Sequence, residues 1–205
     1  EGILAKEGYK IIKKDDDRYS ANLWILNGCT VKDPSQLVFD KYIHQTEEKN
    51  IKLILAGCVS QAAPKVYNRF NILGVQQIDR VGEMVEETLK GNRVSFIKFN
   101  KNKGGSHLNL PKVRKNKYVE IIPINTGCLN NCTYCKTKMA RGKLNSYSMD
   151  EILNRVKSVI NEGVCEIWLT SEDTGTYGID IGKTLPGLLF EIIKLLPKHV
   201  MLRVG

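Results

Sequence analysis

The sequence predicts an α/β protein, with an open parallel α/β domain followed by the first half of a partial (β/α) barrel. Two observations carry this class. Short, continuously apolar runs alternate with amphipathic segments, the pattern of parallel strands buried beneath helices. The alternation is interrupted once, by a basic stretch with little periodicity, and then restarts. At 205 residues, 42% of them apolar, the chain is long enough for one large or two modest domains. The boundaries fall at residues 1–97, a linker at 98–117, and residues 118–205.

In the first domain, strand-like runs are expected at residues 9–12, 22–27 (NLWILN), 51–56 (IKLILA) and 73–76. Asp33-Pro34 is a good helix start, an acidic cap followed by proline at the first helical position. That helix is expected to reach residue 49 with Leu37, Val38, Tyr42 and Ile43 as its apolar stripe. A second helix is expected over 81–90, stopped by Gly91. In the second domain the order is a strand over 118–125, a cysteine-rich loop, a helix over 149–162, a strand over 164–170, a helix over 185–196 and a strand over 200–204. Ser148-Met149-Asp150-Glu151 reads as a capping box opening the first of those helices. A βαβαβ series of this kind suits a barrel whose site lies at the C-terminal strand ends.

The formal charge is +9, and its excess is local. Lys98, Lys101, Lys103, Lys112, Arg114, Lys115 and Lys117 occur between residues 98 and 117 with no acidic residue among them. Such a stripe suits either the phosphates of a polyanion such as RNA or a solvated linker. No apolar run approaches the roughly 18 residues needed to cross a bilayer, and Glu1 opens no signal peptide. The start without Met and the strand-like end lead us to expect a piece of a longer protein.

Of the six cysteines, three fall in Gly127-Cys128-Leu129-Asn130-Asn131-Cys132-Thr133-Tyr134-Cys135, a C-x3-C-x2-C spacing directly after a strand. Three thiolates in one loop can hold three irons of a 4Fe-4S cubane and leave the fourth open, whereas structural zinc prefers four closed ligands. Zinc, or plain structural thiols, stays as the alternative. Cys29 and Cys58 occupy equivalent places, Asn27-Gly28-Cys29 and Ala56-Gly57-Cys58, after successive strands. Side-by-side parallel strands would bring both to one rim, where open α/β sheets place ligands; the alternative is two unrelated buried thiols. Cys165, in a β-rich run, is expected in the core. His44, His107 and His199 lack partners at metal-ligand spacing and are given no role.

These cysteines together with Leu26-Asn27-Gly28-Cys29-Thr30-Val31-Lys32, Leu55-Ala56-Gly57-Cys58-Val59, Gly74-Val75-Gln76-Gln77-Ile78-Asp79-Arg80, Leu110-Pro111-Lys112-Val113-Arg114-Lys115-Asn116 and Val164-Cys165-Glu166-Ile167-Trp168-Leu169-Thr170-Ser171-Glu172 resemble the radical S-adenosylmethionine (SAM) tRNA methylthiotransferases. Within them the sequence is most similar to the eukaryotic and archaeal threonylcarbamoyladenosine branch. The resemblance implies that the barrel is a radical SAM barrel and that Cys128, Cys132 and Cys135 hold its catalytic 4Fe-4S cluster, with SAM on the open iron. It implies a second 4Fe-4S cluster on Cys29, Cys58 and a third ligand before Glu1. It also implies a missing remainder of the barrel and a missing TRAM domain, which would leave this piece alone inactive. The reaction so implied is hydrogen abstraction from C2 of the modified adenosine at position 37 of tRNA by a 5'-deoxyadenosyl radical, with methylated sulfur ending on that carbon. The implied partners are tRNA and an electron donor, and the implied location is cytoplasmic, with anchoring to the cytosolic face of a membrane by a missing C-terminus.

Beyond the cysteines, Glu172 follows a strand where radical enzymes often place an acid for the methionine ammonium, although Thr-Ser-Glu stands where Gly-Gly-Glu is usual; a plain turn is the alternative. Arg141 suits a substrate phosphate or cofactor carboxylate, or merely solvent. Arg203 suits the pocket lining or a solvent-reaching strand end. Tyr134 suits shielding of the cluster, stacking on adenine, or simple packing. Competing readings of the whole chain keep the radical cluster but change the acceptor to isopentenyladenosine or a protein side chain, or replace enzyme with a zinc-stabilised RNA-binding module.

Overall fold

The computed structural model describes residues 1–12, 15–29, 33–98 and 105–205, apart from the side chains of residues 15, 16 and 33–36. Its elements run α1 (Gly2–Lys6), β1 (Leu23–Gly28), α2 (Asp33–Glu48), β2 (Lys52–Gly57), α3 (Cys58–Ala62), β3 (Asn71–Leu73), α4 (Val81–Lys90) and β4 (Ser95–Phe96). They continue with β5 (Val119–Pro123), β6 (Asn125–Thr126), α5 (Thr137–Arg141), β7 (Asn145–Ser146), α6 (Met149–Asn161), β8 (Glu166–Thr170), α7 (Leu185–Leu195) and β9 (Met201–Val204). Two compact units result, Glu1–Asn100 with Cys132–Arg141, and Lys101–Asn131 with Gly142–Gly205.

In the first unit β1, β2, β3 and β4 form a parallel sheet in that order. Side chains alternate across a strand, so β2 sends Leu53 and Leu55 into a core with Trp24, Phe39 and Ile43, and Ile54 and Ala56 into another with Leu4, Met84 and Val85. The sheet is thus covered on both faces, by α2 on one side and by α1 and α4 on the other. α4 ends as expected, with Gly91 left-handed at φ 88°.

Three local expectations are corrected here. Residues 9–12 pair with no strand; Tyr9 and Ile11 pack instead against the α1–α4 core. The third strand lies at Asn71–Leu73 rather than 73–76, because Asn71 opens it with its side chain satisfied by Thr88 Oγ1 at 2.7 Å and Asn92 O at 3.2 Å. On α2, Leu37 is 72% exposed and Val38 also faces out, while Phe39, Ile43 and Thr46 are buried. The packing face is therefore displaced from the expected stripe. The expected Asp33 cap lies outside the described side chains.

In the second unit β5, β8 and β9 form a parallel sheet in that order, and β6 and β7 form a short antiparallel ribbon. α6 connects β5 to β8 by way of the ribbon, and α7 connects β8 to β9. Both helices pack on one face, where Ile122, Ile152, Val156, Ile167, Leu169, Leu188 and Ile192 make the core. Ser148 caps α6 by accepting from Glu151 N at 3.2 Å, as the capping box implies, and Thr184 caps α7 by accepting from Gly187 N at 3.3 Å. This is the βαβαβ start of a (β/α) barrel.

Candidate functional site

The register of the first sheet sets two of the cysteines. Gly28 of β1 is paired with Gly57 of β2, so Cys29 and Cys58 follow from the same rim, as expected. Gly57 has φ +87°, and a Cβ there would come within 2.5 Å of Gly28 O, so this corner needs glycine. Beyond it the chain turns at once into α3, which buries Cys58 to 7% exposure, whereas Cys29 is exposed. Arg141, the last residue of α5, donates from Nε to Cys58 Sγ at 3.1 Å. Residues 30–32 lie outside the described residues.

The three-cysteine loop begins at a second tight corner. Gly127 has φ +77°, and a Cβ would meet Lys143 O at 2.2 Å. Cys128 N donates to Gly142 O at 3.3 Å, which fixes the half-buried Cys128 at the mouth of the β6–β7 ribbon. Residues 129–136 carry no helix or strand, and Cys132 and Cys135 are both exposed, joined by a turn in which Cys135 N donates to Cys132 O at 3.1 Å. Hydrogen bonds from the Thr137 side chain and then its backbone hold the Cys135 thiol below its ordinary value.

Among the described residues, no three His, Cys, Asp or Glu side chains stand together as a metal-binding group. The donors nonetheless suit an iron–sulfur cluster. All are free thiols, and hydrogen bonding biases one of them toward thiolate.

The remaining candidates fare unevenly. Tyr134, between two cysteines, is 87% exposed. Glu172 is exposed in the turn after β8, a turn tied to β6 by Asn125 Nδ2 donating to Asp173 O at 3.1 Å. Arg203 lies opposite Trp168 across β8 and β9, with its guanidinium 4.5 Å from the indole centroid, on the sheet face that α6 and α7 leave uncovered. Cys165 is exposed rather than in the core. β8 begins one residue later, and the turn at Gly163, with φ +83°, sends Val164 inward in its place.

The basic stretch is also revised. Lys101 and Lys103 lie outside the described residues, but Lys112 and Arg114 neither run free in solvent nor await a ligand. Both are bound by Glu120, which is 1% exposed on β5 and takes Lys112 Nζ at 2.7 Å, Arg114 Nε at 2.5 Å and Arg155 of α6 at 2.8 Å. Burial raises the Glu120 carboxyl, but hydrogen bonds from Lys112, Arg155 and Arg114 outweigh it and hold the group below the usual carboxylate range. Arg114 also reaches Glu162 at 2.6 Å. One signal of this cluster stands in the chain itself, an acid at the inward position of an otherwise apolar strand.

A parallel sheet with a three-cysteine loop after its first strand, preceded by a second α/β sheet, defines a radical SAM domain behind an accessory domain. Comparison agrees: residues 122–202 match the Radical SAM superfamily, and residues 1–73 match the family described as "Uncharacterized protein family UPF0004". The whole chain is 54% identical to the threonylcarbamoyladenosine tRNA methylthiotransferase of Homo sapiens and 52% identical to that of Drosophila melanogaster. It is 36% identical, over 99% of its length, to the probable enzyme of that name from Pyrococcus horikoshii. Among solved structures, the radical SAM methyltransferase TsrM from Kitasatospora setae, with cobalamin and a [4Fe-4S] cluster bound, superposes with a TM-score of 0.56 at 13% identity, over 91% of this chain and 45% of that one. This last likeness bears on the fold alone.

The chain belongs to the radical SAM tRNA methylthiotransferase family, in its threonylcarbamoyladenosine branch. It spans 36% of the length of the human relative and 47% of the archaeal one.

Proposed function

We propose that this protein is a tRNA methylthiotransferase that converts N6-threonylcarbamoyladenosine at position 37 to its 2-methylthio derivative by radical SAM chemistry. One observation carries the reading. The whole chain, in which the candidate ligands Cys29, Cys58, Cys128, Cys132 and Cys135 lie, is 54% identical to a relative named for that reaction. In this reading Cys128, Cys132 and Cys135 hold a 4Fe-4S cluster that binds SAM, and Cys29 and Cys58 belong to a second cluster. When bound, the cluster and SAM supply one-electron chemistry that reaches an unactivated C–H bond, for which no side chain of this protein has an equivalent.

The protein's own residues do the positioning. The Gly127 corner and the Cys128-to-Gly142 backbone bond anchor one ligand, and Thr137 favours the thiolate of another. Glu172 follows β8 at the strand end where barrels keep their sites, which supports a role in holding the cofactor's ammonium group. Tyr134, exposed beside the ligands, is suited to covering the cluster, and Arg203 to lining the open sheet face. Lys98, Lys115 and Lys117 are the cations we assign to tRNA phosphate, with an electron donor as the second partner. No helix among the described residues is long and apolar enough to cross a membrane. The cytosolic location, with or without anchoring to a membrane's cytosolic face, rests on the family resemblance alone.

The test is nucleoside mass spectrometry on total tRNA from cells with and without the complete gene. Loss of the methylthiolated nucleoside with accumulation of threonylcarbamoyladenosine is expected. Unchanged levels of both would sink the assignment and turn attention to isopentenyladenosine or protein acceptors. Anaerobically purified full-length protein should hold iron and acid-labile sulfide; stoichiometric zinc in colourless anaerobic protein would favour an RNA-binding module instead.

A further inference from the structure

We propose that Arg141 is a positioning residue for the second cluster, its guanidinium donating to the sulfur of Cys58 and raising that cluster's reduction potential. The inference rests on the assignment of Cys58 to that cluster. Arg141 closes α5, and α5 packs on α3, which Cys58 opens; Val59 and Ala62 of α3 and the following Ala63 line one hollow with Met139 of α5 and the preceding Lys136. This packing aims Arg141 Nε at Cys58 Sγ from 3.1 Å. Cys58 is buried, so water does not screen the contact as it would at Cys29, which is exposed.

Hydrogen bonds to ligand sulfurs and nearby positive charge both favour the reduced, more negative state of an iron–sulfur cluster, and arginine keeps its charge at any working pH. The guanidinium is thus directed at a ligand sulfur, a different target from the substrate phosphate or cofactor carboxylate that the sequence suggests for it. The segment from Cys132 to Arg141 carries two proposed ligands of one cluster at its start and a donor to the other cluster's ligand at its end. Five residues separate Cys135 from Arg141.

The test uses full-length protein, anaerobically reconstituted, in a parent carrying Cys128→Ala, Cys132→Ala and Cys135→Ala, so that any remaining cubane is the second one. Its midpoint potential is read by redox titration with electron paramagnetic resonance, alongside iron and sulfide content. Arg141→Gln is expected to move the midpoint to more negative potential with iron content unchanged, and Arg141→Lys, which keeps the charge but loses the planar donor, to move it less. If Arg141→Gln fails to fold or load, Arg141→Lys decides alone. Midpoints equal to the parent's in the variants that load would overturn the inference while leaving the second cluster standing. A parent that binds no iron would sink the second-cluster assignment, and this inference with it. With the catalytic cysteines intact, Arg141→Gln raising the KM for tRNA while leaving the midpoint unmoved would mark an arginine that only contacts tRNA phosphate, which also counts against the proposal.

Discussion

β2 and β8 are both interior strands of parallel sheets, yet they are buried in different ways. In β2 four successive residues, Leu53 to Ala56, are buried, odd positions in one core and even positions in another. In β8 only Ile167 and Leu169 are buried, while Glu166, Trp168 and Thr170 are half-exposed. The first sheet has helices on both faces; the second has them on one. In a (β/α) barrel helices cover the outside, so the face left open on β5, β8 and β9 is the one a barrel turns inward. The first sheet is organised as a scaffold that presents cysteines at its rim, and the second keeps a whole face for other uses.

The two sheets also treat buried polar groups differently, and the largest expected effect probes this. Glu120 lies on the covered face of the second sheet with three cations around it, so Glu120→Ala strands the buried Arg155 and should cost about 3–5 kcal/mol in urea unfolding. The same carboxyl gives a pH signature. Its folded pKa is depressed, so its stabilisation is complete above the unfolded carboxyl's pKa and is lost as pH falls through the lower folded value. Glu120→Gln should remove that part of the acid-side loss.

Next in size, Ile54→Ala and Leu55→Ala should each cost about 2–5 kcal/mol although they point to opposite faces, because both faces of β2 are core. A small loss for either would break the contrast with β8. At the first sheet's rim, Gly57→Ala forces a left-handed residue and a backbone clash, with an expected loss of about 1–3 kcal/mol; a neutral result would mean the corner relaxes. The smallest effects belong to the open face of the second sheet. Arg203→Gln should cost about 0.5–1 kcal/mol through its lost stacking on Trp168. Ile121, 50% exposed, should tolerate Ala within about 0.5 kcal/mol. A large loss at Ile121 would show that this face is covered in solution.

Long periodic elements were legible in the sequence. α4 runs from Val81 to Lys90 as expected, and α2, α6, α7, β2, β8 and β9 begin and end within two residues of their expected limits. The short ones were not. α1, α3 and α5 have five residues each, too few for a 3.6-residue period to register, and β4 with two residues is defined by its pairing to β3 rather than by its composition. Leu37 and Val38 mislead for a similar reason, since apolar residues on a helix show the period of a face without saying which neighbour it meets.

By itself the sequence determined the parallel α/β class, the caps at Ser148 and Gly91, and the cysteine spacing on which the candidate site depends, because each is written in residues a few positions apart. Only the tertiary structure decided that Lys112 and Arg114 close on Glu120, that Arg203 stacks on Trp168, that Cys165 faces outward, and that Arg141 meets Cys58 across 83 positions of chain. Charges and thiols have no period of their own, so their partners follow from strand register and helix packing, which long-range burial sets.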